Sequence, residues 1–216
     1  MIAIFDLDGT LIDSAPDIHA AGNAVLAAEN LAPVTLAQTR SFIGNGAAVF
    51  LERLERASAG ANEPDRTARM RKRFAIEYET AHALTTIYPG VEAALEALAQ
   101  DGWKLGLCTN KPVAPTRAVL SHLGWTDRFE VVIGGDSLSV MKPDPAPLRA
   151  VIEALGPGPL IYVGDSETDG ATAQAASVPF ALFTRGYRKT AVHEIAHTVA
   201  FDDWSALPDL ARRWAR

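Results

Sequence analysis

Ile2-Ala3-Ile4-Phe5-Asp6-Leu7-Asp8-Gly9-Thr10 carries the first decision about the fold: four apolar residues, then an acidic turn containing glycine. A run this short and this continuously apolar suits a strand buried on both faces of a parallel sheet. Four further runs have the same character, at 104–108, 130–133, 160–163 and 180–183. Helical patterns lie between them. Val91, Leu95 and Leu98 recur at helical spacing after Pro89, and 113–123 and 148–155 behave likewise. Strands alternating with helices over the C-terminal two-thirds predict an α/β fold, a Rossmann-like parallel sheet covered by helices on both faces.

Residues 15–83 read differently. No strand pattern occurs there, and helical patterns cover 18–30, 47–57 and 66–84, the last with Met70, Phe74 and Tyr78 on one face. The expected organisation is therefore a core of 1–14 and 84–216, with an all-helical cap of 15–83 inserted after the first strand. Such an insert leaves the carboxyl edge of the sheet, where open α/β sheets bind ligands, and is placed to act as a lid. The basic residues Arg66, Arg69, Arg71, Lys72 and Arg73 are read as a solvated helix face.

Composition narrows the function. The 216 residues carry 20 Lys plus Arg against 26 Asp plus Glu, a net charge of −6, with no basic block. General nucleic-acid binding, which rests on neutralising phosphates, is disfavoured. Cys108 is the only cysteine, so neither an intrachain disulfide nor a cysteine-rich zinc site is available. No apolar stretch approaches the length of a membrane span and no secretory leader pattern opens the chain. The expectation is a soluble cytoplasmic protein, monomeric or a small homo-oligomer, with neither nucleic acid nor membrane as partner.

Three predicted strands end in chemistry-bearing residues: Asp6-Leu7-Asp8-Gly9-Thr10, Thr109-Asn110-Lys111, and Gly164-Asp165-Ser166-Glu167-Thr168-Asp169. In a parallel sheet these ends lie side by side. Asp6, Asp8, Asp165 and Asp169 would crowd one volume and raise one another's pKa values. A hard divalent cation relieves that repulsion, and Mg²⁺, which prefers carboxylate, carbonyl and water oxygens, suits it. Lys142, in Met141-Lys142-Pro143, supplies a compact positive charge. Each piece alone is an ordinary turn, cap or loop residue; their joint occurrence, each after a predicted strand, points to a phosphate-handling site.

The chain resembles the haloacid dehalogenase superfamily of phosphotransferases. Asp6-Leu7-Asp8-Gly9-Thr10-Leu11 is similar to its first motif, Thr109-Asn110 to the second, Lys142-Pro143 to the third, and Gly164-Asp165-Ser166 with Asp169 to the fourth. Within it the chain is most similar to the phosphoglycolate phosphatases, through Asp13-Ser14, Ile43-Gly44-Asn45-Gly46-Ala47, Tyr88-Pro89-Gly90-Val91, Gly135-Asp136-Ser137-Leu138 and Thr184-Arg185-Gly186-Tyr187. Ser177 and Met141 depart from the usual pattern without removing a catalytic group. The resemblance implies a Mg²⁺-dependent phosphomonoester hydrolase. Asp6 would be the nucleophile forming an aspartyl-phosphate, Asp8 the general acid and base, and Lys142 and Thr109 would stabilise and position the phosphoryl group. Asp6, Asp8 (through its backbone carbonyl) and Asp165 would hold the metal. Asp169 would be either a water-mediated ligand or the orienter of Lys142. Asn110, Gly9 and Thr10 would line the substrate, and Gly44, Asn45 and Gly46 would offer it backbone N–H groups at a helix start. The implied substrate is 2-phosphoglycolate. The alternatives are a phosphatase or mutase for another small ester such as a sugar phosphate, or a phospho-ligand-binding protein without turnover. Arg40 and Arg185 are further candidates for the substrate carboxylate, although each also reads as a surface arginine. His193-Glu194-Ile195-Ala196-His197 matches a helical zinc pattern in its letters. With no third ligand and a strand-like run at 199–201, it is read as structural.

Overall fold

The computed structural model describes residues 1–214, so the last two positions of the expected core lie outside the described residues. Strand β1 (Ile2–Phe5) is followed by a two-residue strand β2 (Ile12–Asp13). Four helices come next: α1 (Ala15–Ala28), α2 (Leu36–Phe42), α3 (Gly46–Ala59) and α4 (Pro64–Glu79). The chain returns through β3 (Thr86–Ile87), α5 (Val91–Gln100), β4 (Lys104–Cys108), α6 (Val113–His122), β5 (Val131–Ile133) and α7 (Ala146–Leu155). It ends with β6 (Leu160–Gly164), α8 (Glu167–Ala176), β7 (Phe180–Phe183), β8 (Val199–Phe201) and α9 (Leu207–Trp214).

Six strands form one parallel sheet in the order β5-β4-β1-β6-β7-β8. β1 sits centrally, with Ile4 opposite Gly106 of β4 and Tyr162 of β6. The two-residue side-chain period of a strand sends Ala3 and Phe5 into one apolar core and Ile2 and Ile4 into the other. Both faces are therefore buried, the physical reason the strands read as unbroken apolar runs. From β1 the chain builds outward through β4 and β5, then crosses back to β6 and builds the other way. The direction reverses between β1 and β6, and a crevice opens at the carboxyl ends of strands at such a switch point. Asp6 and Asp165 flank it.

The four inserted helices bury a core of their own, including Val25, Phe50, Leu54, Met70 and Phe74. β2 and β3 pair antiparallel, bringing the two linkers of the insert together. Buried Asp17, in the first turn of α1, accepts hydrogen bonds from the Leu84 amide at 3.0 Å and the Thr85 hydroxyl at 2.6 Å across that junction. Helices α2 and α8 escape the periodicity argument. α2 buries only Thr39, and α8 is built largely of small residues. Both carry a local start signal instead: capping boxes at Thr35 with Gln38 and at Ser166 with Asp169.

The basic run on α4 is mostly a solvated face. Arg69, Arg71 and Arg73 pair with Glu29, Glu52 and Glu77 at 2.7–2.8 Å. Arg66 instead turns inward to the fully buried Glu55, at 2.6 Å. The histidine pentad does not form an α-helix: Val192–Glu194 is a single 3₁₀ turn, and a ring nitrogen of His197 lies 2.7 Å from the Ile195 carbonyl. No described helix is long and apolar enough to cross a membrane.

Candidate active site

The acidic ends of β1 and β6 meet. Asp6, Asp165 and Asp169 each present an oxygen within 4.8 Å of the others, and all three are buried. Gly9 makes this possible. It adopts φ +89°, and a Cβ there would lie 2.6 Å from Asp165 Oδ2, so a side chain would be both strained and blocked. Asp165 is gripped on both oxygens: the Thr10 hydroxyl donates to Oδ1 at 2.7 Å and the Tyr187 amide donates to Oδ2 at 2.5 Å. Thr10 is thus fully buried behind the site and holds a carboxylate; neither it nor Gly9 lines the cavity.

Lys142 lies within the cluster. Its ammonium is 2.8 Å from Asp6 Oδ1 and 2.7 Å from Asp169 Oδ1, and it donates to the Tyr162 hydroxyl at 3.0 Å. Asp169 accepts five hydrogen bonds. Lys142 and Tyr162 donate to Oδ1, and the Asp165 amide, the Ser166 amide and the Ser166 hydroxyl donate to Oδ2. So many donors leave little lone-pair capacity for a direct metal bond. The geometry supports the reading of Asp169 as the group that orients Lys142.

Charge bookkeeping tests whether a cation belongs here. Three carboxylates against the one ammonium of Lys142 leave two negative charges uncompensated. Burial, opposed by Lys142 and reinforced by Asp169, pushes Asp6 up to about 6. Burial with the charges of Asp169 and Asp6 pushes Asp165 well above the ordinary carboxylate range. Burial also works against the charged form of Asp169, but Lys142 and its hydrogen bonds outweigh it and hold this carboxyl below its usual value. Asp6 and Asp165 therefore belong to an all-oxygen donor set short of positive charge, which fits a hard divalent cation.

A pH dependence follows. Asp6 and Asp165 have folded-state pKa values above their unfolded ones, so the metal-free fold binds extra protons and loses stability as pH rises from about 4 through about 6. A cation cancels that penalty but must displace the protons. The increase in Tm produced by a fixed concentration of Mg²⁺ is expected to be large at pH 7.5 and to shrink steadily below pH 6. Equal increments at pH 7.5 and pH 5 would contradict the assignment.

A cleft of about 530 Å³, counting its open mouth, separates the sheet edge from the inserted helices. Asp6, Asp8, Thr109, Asn110 and Lys142 line its floor; Gly44, Gly46, Phe50, Phe74 and Tyr78 line its roof. Asp8 accepts a 2.5 Å hydrogen bond from Ser14. Thr109 Oγ1 accepts from the Lys111 amide at 3.2 Å, so its own O–H is free to donate into the cleft. The Asn110 side chain has its polar atoms committed within the protein. Its amide donates to the Gly44 and Lys142 carbonyls and its oxygen accepts from the Lys142 amide. Asn45 likewise turns aside, donating to Thr168 and accepting from Arg53. The 43–46 loop is thereby tied to the sheet edge by Asn110, by Thr168 and by Lys189, which donates to the Ile43 carbonyl at 2.7 Å. Arg40 and Arg185 pair at the surface with Asp13 and Asp202. Cys108 is buried beside the site, and burial pushes its thiol up to about 12, which suits packing rather than nucleophilic chemistry.

Several residues at the site had no individual role assigned from the sequence. Tyr187 belongs to the apolar core of the insert, and its hydroxyl donates to Asp13 and accepts from the Ala15 amide. Tyr162 supports Lys142 from within β6. Lys111 donates to the Tyr78 hydroxyl at 2.5 Å, and both line the cleft. Their signals were a tyrosine on the apolar stripe of α4, a lysine after Thr109-Asn110 and the tyrosine that closes Thr184-Arg185-Gly186-Tyr187.

Comparison with known proteins agrees with this fold. Residues 3–183 match the family model of the haloacid dehalogenase-like hydrolases. A phosphoglycolate phosphatase of Cereibacter sphaeroides is 53% identical over 211 residues, covering 97% of each chain. One of Rhodobacter capsulatus is 43% identical, covering 98% of this chain and 96% of its own. A predicted phosphoglycolate phosphatase from Haemophilus somnus superposes with a TM-score of 0.91 at 29% identity, covering 97% of this chain and 96% of that one.

Proposed function

The chain belongs to the haloacid dehalogenase-like hydrolase family and is a phosphoric monoester hydrolase, and we propose that it hydrolyses 2-phosphoglycolate to glycolate and phosphate. We propose further that its resident cation is Mg²⁺ and that the reaction passes through an aspartyl-phosphate on Asp6. One observation carries this reading. Two carboxylates of unlike surroundings, Asp6 and Asp8, leave the end of one strand and line the same cleft.

Asp6 is bound to Lys142 and backed by the metal-type acidic set, which favours an ionised oxygen able to attack phosphorus. Asp8 lies outside that set, accepts from Ser14 and lines the cleft, which suits it to serve the leaving oxygen. As the P–O bond breaks, the proton on Asp8 passes to the leaving alkoxide. Asp8 then takes a proton from water, whose oxygen attacks phosphorus, frees phosphate and restores Asp6. Thr109 donates to a phosphoryl oxygen, and Lys142 offsets negative charge on the same group. Asp6, Asp165 and the Asp8 carbonyl would hold Mg²⁺, which would supply the remaining positive charge. The inserted helices roof the cleft.

A substrate panel tests this. Phosphate release in Mg²⁺ is expected to be fastest, as kcat/KM, for 2-phosphoglycolate among small esters, sugar phosphates and nucleotides, and to stop in excess chelator. Higher kcat/KM for a sugar phosphate, or isomerised ester in place of free phosphate, would overturn the assigned reaction.

A further inference from the structure

Lys111 is a buried lysine for which the chemistry above finds no use. We propose that Lys111, with Tyr78 of α4, forms the subsite for an anionic group attached next to the scissile ester, which for the proposed substrate is its carboxylate. This rests on the substrate reading above and extends it to a recognition residue.

The cleft holds two ammonium groups, Lys142 and Lys111. Lys142 is committed to Asp6 and Asp169. Lys111 is not committed in the same way. It donates one hydrogen bond, to the Tyr78 hydroxyl at 2.5 Å, and stands 4.0 Å over that ring. Its nearest carboxylate oxygen, Asp8 Oδ1, is 3.5 Å away, beyond a good charge-assisted hydrogen bond. An ammonium has three donors, so capacity remains. The ammonium is buried, so a second anion in contact with it would be favourable.

Position selects the ligand. Asp8 must reach the ester oxygen to protonate it, and Lys111 lies beside Asp8. In 2-phosphoglycolate one methylene separates that oxygen from the carboxylate, so a substrate placed for proton transfer brings its carboxylate to Lys111. Ile18, Phe50 and Phe74 form the adjoining wall and offer no competing cation. Tyr78 can turn its O–H toward the same carboxylate, joining the roof to the substrate. The arginines with a claim to this role, Arg40 and Arg185, lie outside the cleft on surface partners.

The test compares 2-phosphoglycolate with ethyl phosphate, which has the same ester and chain length without the charge. For wild-type protein the ratio of kcat/KM values should strongly favour 2-phosphoglycolate. In Lys111→Met that ratio should fall by about 10- to 100-fold, the range expected for losing one hydrogen bond to a charged group, mainly through KM for the glycolate. Tyr78→Phe, which removes a single oxygen and spares the packing, should lower it by about 3- to 10-fold, and Lys111→Arg should recover part of the loss. An unchanged ratio in both Lys111→Met and Tyr78→Phe would refute the subsite while leaving the substrate reading intact. A wild-type enzyme with no preference for 2-phosphoglycolate would overturn both.

Discussion

Asp6→Asn is expected to abolish turnover without unfolding the protein. A nucleophile that works as part of a unit typically costs about 10⁴- to 10⁶-fold in kcat when removed. Asparagine keeps the shape of the side chain but cannot form the acyl phosphate. Stability should move the other way. Burial and the Asp169 charge already disfavour the Asp6 carboxylate in the metal-free protein. A neutral amide removes that repulsion, while Lys142 keeps its partner in Asp169. The metal-free Tm should therefore hold or rise at pH 7.5. Phosphate release and a thermal melt on the same preparation check both halves. A rate within tenfold of wild type would assign the nucleophile elsewhere.

Lys142→Met should reverse that pattern, lowering activity and stability together. The ammonium is buried between two carboxylates and a tyrosine hydroxyl. Burial alone would lower its pKa, but Asp169 and Asp6 raise it far above the ordinary lysine value, so it remains charged. Removing one member of a buried ion pair costs about 3–5 kcal/mol, because the remaining charge is left without a partner. In a chain of this size that corresponds to roughly 10 °C in Tm. Loss of preorganised charge at the phosphoryl group adds about a 10²- to 10³-fold fall in kcat. Asp6→Asn combined with Lys142→Met should cost less stability than Lys142→Met alone, since one uncompensated carboxylate has gone. A double variant at least as unstable as the single one would mean that Lys142 acts by packing and not by charge.

The core strands could be read because a parallel sheet with both faces covered leaves continuous apolar runs, visible without any tertiary knowledge. The motif carboxylates could be read because each follows such a run. Helix α2 was silent because it has almost no buried face, and the β2–β3 pair because two residues are too few for a pattern. Thr10 illustrates the limit at the site. Its place in the motif suggested contact with substrate, yet its hydroxyl is spent on Asp165, 155 positions away.

The chain's local chemistry was enough to determine the class of fold, the inserted helical segment and the acidic groups at the strand ends, because apolar periodicity and strand-terminal residues are properties of neighbours. Only the folded molecule decided what those groups touch. Tyr187 reaches back 174 residues to Asp13, Lys111 meets a tyrosine 33 positions earlier, and Asn110 spends its amide on a loop carbonyl. Such contacts depend on how separate elements pack, to within a fraction of a hydrogen-bond length, and residue order alone does not encode that distance.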